Sequence, residues 1–174
     1  MENRTSPNKR GRTNGLTADT ASAIVSRQRQ SFPEGNESNQ SMDIEDKFAI
    51  HELIARYNHA IDGGDPDGVA ACFANDGTFQ GISGFFAGHA ELRKLGMTLT
   101  EALIPRHVVS NVVIAESEGD VDTAHIKSHL FYYEVTPEGF YFKTSGIYTD
   151  VVVRAEGAWK FRSRLMTLDV AKAP

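Results

Sequence analysis

The sequence predicts an α+β domain in which helices come first and cover one face of a curved antiparallel sheet that follows. Two observations carry this. The stretch DIEDKFAIHELIARYNHAID, from Asp43 to Asp62, spaces its apolar residues in the manner of one helical face. From Arg106 onward, four runs rich in β-branched and aromatic residues are separated by turn signals, the pattern of a meander. Helices followed by a sheet make a layered α+β domain.

Residues 1–41 are expected to stand apart. They are rich in Ser, Asn, Thr, Arg and Gly, with Phe32 as the only aromatic. Such a composition buries too little apolar surface to offset the entropy of ordering. A disordered polar tail is expected, with one domain spanning residues 42–174. The 40% hydrophobic content of the 174 residues is enough for one sizeable core.

In the first helix, Ile44, Phe48, Leu53, Ile54, Tyr57, Ala60 and Ile61 are expected on the buried stripe. Asp43 caps the start, and Gly63-Gly64 stops the helix. Asp65 is the expected cap of a second helix with Pro66 at its first position. Asn75-Asp76-Gly77 reads as a turn, Thr78–Gln80 and Phe85-Phe86 as short strands, and Gly88–Thr98 as a third helix. The four long strands are expected over Arg106–Ala115, Val121–Val135, Phe140–Arg154 and Ala158–Asp169.

Charge and cysteine content narrow the function. The first 41 residues hold six Lys/Arg and four Asp/Glu, whereas the remainder holds 12 and 19, for a net charge of −5. An acidic body argues against nucleic acid as a partner. The single cysteine, Cys72, excludes an internal disulfide and a multi-cysteine metal site. Its apolar context, AACFA, suggests a buried inert thiol. No apolar run is long enough to span a membrane. The expectation is a cytoplasmic protein acting on a small molecule. Thr149, Val151 and Val153 form an apolar strip on the uncovered side of the third long strand, which favours a homo-oligomer, dimer or trimer.

The residues able to carry chemistry are Tyr57, Asp62, His107 in PRHVVSN and His129 in IKSHLFYY. A phenol and a carboxylate at one helix end need partners, and the two histidines can supply them. Alternation divides the second long strand into two sets. His125, Lys127, His129, Phe131 and Tyr133 share one face; Ala124, Ile126, Ser128, Leu130 and Tyr132 share the other. The second set has the more buried character, so His129 turns inward only if a bulge changes the parity.

The span Asp43–Asp169 resembles the SnoaL-like branch of the nuclear-transport-factor-two-like superfamily. Within it, the chain is most similar to scytalone dehydratase and the bile-acid dehydratases. The resemblance lies in RYNHAIDGGD, FANDGTF, PRHVVSN, SHLFYY and GAWKF. It implies a cone-shaped curved sheet wrapped by about three helices around an apolar pocket. It also implies roles. Asp62, His107 and His129 fall where scytalone dehydratase carries its aspartate and two histidines, and Tyr57 where the bile-acid enzymes carry a tyrosine. Tyr148 and Gly146 fall where scytalone dehydratase has an asparagine and a serine.

The expected function is therefore a cofactor-independent, metal-free dehydratase-type lyase acting on a small, largely apolar hydroxy-carbonyl compound. Asp62 would hold one ring nitrogen of His129, His107 would assist the leaving hydroxyl, and Tyr57 would donate to the carbonyl oxygen. Phe79, Asn111, Phe131, Tyr148 and Met166 are the expected substrate-binding residues, with Asn111 on the face of His107. Two alternatives stand beside this reading. One is an isomerase or cyclase of the same fold. It is disfavoured in its ketosteroid form because Gly77–Ala90 contains no Asp or Glu. The other is a non-catalytic ligand-binding or subunit-pairing domain.

Overall fold

A computed structural model describes residues 42–97 and 103–169. The expected tail, the end of the expected third helix at Thr98, and residues 170–174 lie outside the described residues.

Helix α1, Ile44–Gly63, starts where Asp43 accepts the backbone N–H of Asp46 at 2.8 Å. It ends at Gly64, whose left-handed φ of 64° lets its N–H return to the carbonyls of Ala60 and Ile61. The buried stripe is Ile50, Leu53, Ile54, Tyr57 and Ala60. Ile44 and Phe48, expected on it, are exposed. Phe48 stands about 140° round the helix from Leu53, so Ile44 and Phe48 point to solvent while Asp46, in the first turn, accepts from Trp159 Nε1 at 2.9 Å. Helix α2, Pro66–Ala71, has the expected cap, with Asp65 accepting the N–H of Gly68 at 2.9 Å. Helix α3, Gly88–Leu92, continues as a 3₁₀ turn over Arg93–Met97.

The sheet has six strands: β1 Phe73–Gly81, β2 Gly84–Ala87, β3 Ile104–Ser117, β4 Asp120–Thr136, β5 Gly139–Ala155 and β6 Ala158–Leu168. Their order is β2-β1-β6-β5-β4-β3. The four long strands form the expected antiparallel meander, and β1 joins β6 in parallel. Asn75-Asp76-Gly77 is not a turn between elements but a bulge inside β1, where the register against β6 shifts between Phe73 and Thr78. The bulge needs a glycine: a Cβ on Gly77 would stand 2.9 Å from the carbonyl oxygens of Ala74 and Phe161.

Register assigns the faces. Ala124, Ile126, Ser128 and Leu130 of β4 are buried and stand opposite Val152, Asp150, Tyr148 and Gly146 of β5, also buried. Phe161 and Arg164 of β6 continue these rows. Helix α1 packs against β3 and β6. Tyr57 places its ring edge-on to Phe73 and Phe161, with centroids 5.8 Å from each. The opposite, outer face carries exposed His125, His129 and Leu165.

Candidate active site

The end of α1 meets the start of β3 through one carboxylate. Asp62 Oδ1 lies 2.6 Å from His107 Nδ1, and both Asp62 oxygens accept the backbone N–H of His107, at 3.2 and 3.1 Å. The two side chains are 12% and 19% exposed, so the pair is sheltered yet reachable. A carboxylate only accepts, so the short contact requires a proton on Nδ1. That leaves Nε2 as the basic nitrogen of a neutral ring.

His107 is directly opposite Tyr132 in the β3–β4 register, and their ring centroids are 4.8 Å apart. The Tyr132 hydroxyl donates to Glu134 Oε1 at 3.2 Å, and Glu134 Oε2 is 2.9 Å from Lys143 Nζ. Burial, and then the Glu134 charge, push the Tyr132 phenol up to about 12. Tyr132 is therefore a neutral donor at ordinary pH.

Four expectations are corrected here. Asp62 holds His107, not His129. His129 is exposed, and its Nδ1 lies 3.0 Å from Asn111 Nδ2. No bulge changes the parity of β4 before His129, so it stays with His125 on the outer face. Asn111 sits in a β3 bulge between Ser110 and Val113, at a left-handed φ of 51°, which carries it to the face of His129 rather than that of His107. Phe131 shares the parity of His129 and likewise leaves the inner wall.

The other expected residues are inside. Phe79 is buried and packs against Phe86 with centroids 6.3 Å apart. Met166 joins it: a Cβ on Gly81 would touch the Phe79 ring at 2.9 Å and Met166 Cε at 3.1 Å. Tyr57 and Tyr148 are almost wholly buried. Burial raises both phenols, Tyr57 above the usual phenol range and Tyr148 to about 12.

Sequence reasoning missed Tyr132, Glu134 and the pair Asp150–Arg164. Parity put Tyr132 on the buried set, which was the available signal. Arg164 donates to both Asp150 oxygens, at 3.0 and 2.9 Å, with neither side chain exposed. Its guanidinium carbon lies 4.4 Å from the Tyr57 ring centre and 4.1 Å from those of Tyr148 and Phe161. Burial pulls the Arg164 cation down, and the Asp150 charge more than reverses it. The two-point contact keeps the pair ionised. Among the described residues, no three His, Cys, Asp or Glu side chains cluster as metal ligands, and no helix is long and apolar enough to cross a membrane.

Comparison with known proteins places the fold. A family model described as a SnoaL-like domain matches residues 42–165. The chain belongs to the SnoaL-like domain family. This SnoaL-like chain is similar to a protein of unknown function from Mycobacterium tuberculosis, with 26% identity, 74% of this chain and 79% of that chain covered, and a TM-score of 0.68. It is also similar to a Nostoc punctiforme protein of unknown function with a cystatin-like fold, with 30% identity, coverage of 75% and 96%, and a TM-score of 0.65. A candidate scytalone dehydratase from Novosphingobium aromaticivorans shares 21% identity over 73% and 86% of the two chains, with a TM-score of 0.64. At that identity the likeness carries the fold alone. No curated protein matches the chain significantly. SnoaL-like proteins include dehydratases and polyketide cyclases.

Proposed function

We propose that this SnoaL-like chain is a cofactor-independent lyase that removes water from a small, largely apolar hydroxy-carbonyl substrate. The observation that carries the reading is the Asp62–His107 contact of 2.6 Å. His107 is the base: Nε2 takes a proton from the carbon next to the carbonyl while Asp62 fixes the tautomer and stabilises the imidazolium that forms. The electrons of that C–H bond become the new double bond as the hydroxyl leaves the adjacent carbon. The leaving oxygen takes a proton and departs as water. The His107 imidazolium can return that proton, so the step needs no further reactant.

The Tyr132 ring lies beside His107 and its phenol remains neutral, so on turning from Glu134 its hydroxyl can donate to a developing oxyanion or to the leaving hydroxyl. Tyr57 and Tyr148 are the candidate donors for the carbonyl oxygen, and Phe79 and Met166 form apolar wall. The candidate dehydratase from Novosphingobium aromaticivorans is consistent with this chemistry on this fold. The test is a screen of β-hydroxy ketones for loss of water, followed by ultraviolet absorbance of the conjugated product. Activity should be present in the native chain and nearly absent in Asp62→Asn. Turnover unaffected by Asp62→Asn would reject His107 as the base.

A further inference from the structure

A cavity of about 670 Å³ lies between α1, α2 and the β5–β6 hairpin. Neither Asp62 nor His107 lines it. Small residues leave the space: Ala49 and Ala60 of α1, Gly68 and Ala71 of α2, and Gly157 and Ala158 of the hairpin. Buried Leu53 and Trp159 complete an apolar wall. The volume falls in the range that takes a small ligand. The charges round this wall are unevenly spent. Its three carboxylates are occupied by the chain itself. Asp46 accepts from Trp159 Nε1 at 2.9 Å and from Arg154. Glu52 accepts from Arg56, and Asp65 caps α2 through the N–H of Gly68. Among the cations, Arg154 is held between Asp46 and Asp122. Lys160 differs. Its ammonium donates to the carbonyl of Ala71, a neutral acceptor, and no carboxylate meets it among the described residues. It keeps further donors and an uncompensated charge beside an apolar recess. Arg56 can join it, because the pair with Glu52 is exposed on both sides and easily parted.

We propose that this cavity is a binding site for a small organic acid, with Lys160 holding the carboxylate and the alanine-lined wall taking an apolar body. Charge selects the class. One uncompensated cation balances one negative charge, so a monocarboxylate leaves the site neutral. A phosphate dianion would leave a charge in excess beside Asp65 and Glu52, and an ammonium would meet Lys160 as a like charge. The wall selects the body, since apolar surface removed from water there favours the complex. The site shares α1 with Asp62 but no residue with the proposed chemistry. It therefore stands whether or not the chain is a lyase, and its test reads binding rather than turnover.

Trp159 is the only tryptophan of the chain and lines the cavity, so its emission reports occupancy. The full chain is titrated with three probes that share one apolar cage and do not absorb where tryptophan is excited: adamantane-1-carboxylate, its carboxamide and the 1-amine. The carboxylate should change Trp159 emission saturably and bind about tenfold more tightly than the carboxamide, because only the carboxylate neutralises Lys160. The amine should bind more weakly than the carboxamide. Added salt should weaken the carboxylate alone. Lys160→Met keeps the apolar stem; it should bring the carboxylate down to the affinity of the carboxamide and leave the carboxamide unchanged. The proposal is overturned if carboxylate and carboxamide bind equally, if the amine binds best, or if no probe changes the emission at up to about 10 mM. It is also overturned if Lys160→Met binds the carboxylate as tightly as the native chain does. Should that variant melt early, the three probes on the native chain decide by themselves. Asp62→Asn should leave all three affinities in place. A carboxylate lost with Asp62 would belong to the candidate active site and would equally overturn the proposal.

Discussion

His107 and His129 lie on adjacent strands, yet the sheet treats them in opposite ways. His107 is on the inner face, held by Asp62 through ring and backbone and stacked near Tyr132. His129 is on the outer face, exposed, with the side-chain amide of Asn111 as its neighbour. Nothing in the residue type separates them. What differs is parity and the company it brings: a carboxylate from a helix end on one side, solvent and a bulge on the other. An imidazole becomes a plausible catalyst when its second nitrogen is held, and the fold supplies that hold on one face only.

The contrast can be tested in order of expected effect. Asp62→Asn should lower turnover of a substrate found in the hydroxy-ketone screen by roughly two to four orders of magnitude. The melting temperature should move little, since the amide fills the same volume. His107→Ala should be comparably damaging, and the double variant little worse, because groups acting as a unit are non-additive. Tyr132→Phe should cost about a hundredfold in turnover, the lower end of what a positioned proton donor contributes. A rate unchanged by that substitution would remove Tyr132 from the chemistry.

A further test uses pH. The phenols of Tyr132 and Tyr148 are pushed up to about 12, mainly by burial. Each folded value lies above that of the unfolded chain, about 10. The stability they contribute is therefore full below about pH 10 and is lost as pH rises towards 12. Phenolate absorbance should appear late and together with unfolding by circular dichroism. Early, reversible titration of all tyrosines in the folded state would contradict this burial.

The smallest expected effect completes the comparison. His129→Ala should change turnover by no more than about twofold, as for surface substitutions away from a site. A loss matching that of His107→Ala would show that the outer face takes part after all. The outer face has its own expected role in self-association. Of the expected strip, Thr149 is exposed and Val151 half-buried but Val153 is buried, whereas Val108 and Leu165 are exposed on the outer face, at 48% and 40%. Light scattering of the native chain at micromolar concentration should give more than the monomer mass, and Leu165→Asp should reduce it.

Much of the fold was legible because each signal was local. Asp43, Gly64, Asp65 and Pro66 mark helix ends by chemistry that does not depend on the rest of the chain. The long strands announced themselves by composition. The α1 stripe was misread at Ile44 and Phe48 because an apolar residue at helical spacing need not meet a partner. The Asn75-Asp76-Gly77 bulge was misread because the same residues that make a turn can also kink a strand. The candidate site was legible in part. Asp62 and His107 were identified, but their pairing was not, because it depends on where α1 ends over β3. Alternation already disfavoured His129, and the resemblance to family positions outweighed it. Asp150 and Arg164 gave no sign, since a charged pair in a strand sequence reads as surface until the register places both inside.

The β3 bulge at Asn111 has a consequence for how this chain can change. It divides β3 into two segments whose pairings with β4 differ by one residue: His107 to Ser110 on one side, Val113 to Glu116 on the other. His107 and Ile114 are seven residues apart, an odd step, and the extra residue is what lets both face inward. Deleting that one residue would keep His107 opposite Tyr132 and Ile114 opposite Ile126, so it is compatible with both faces. A further insertion absorbed by the ladder would instead slip one segment by a residue and turn its side chains over, taking either His107 from Asp62 or Ile114 from the core. The hairpin tip at Glu118-Gly119, a few residues on, is free of that constraint, so natural insertions should accumulate at that tip and spare the bulge.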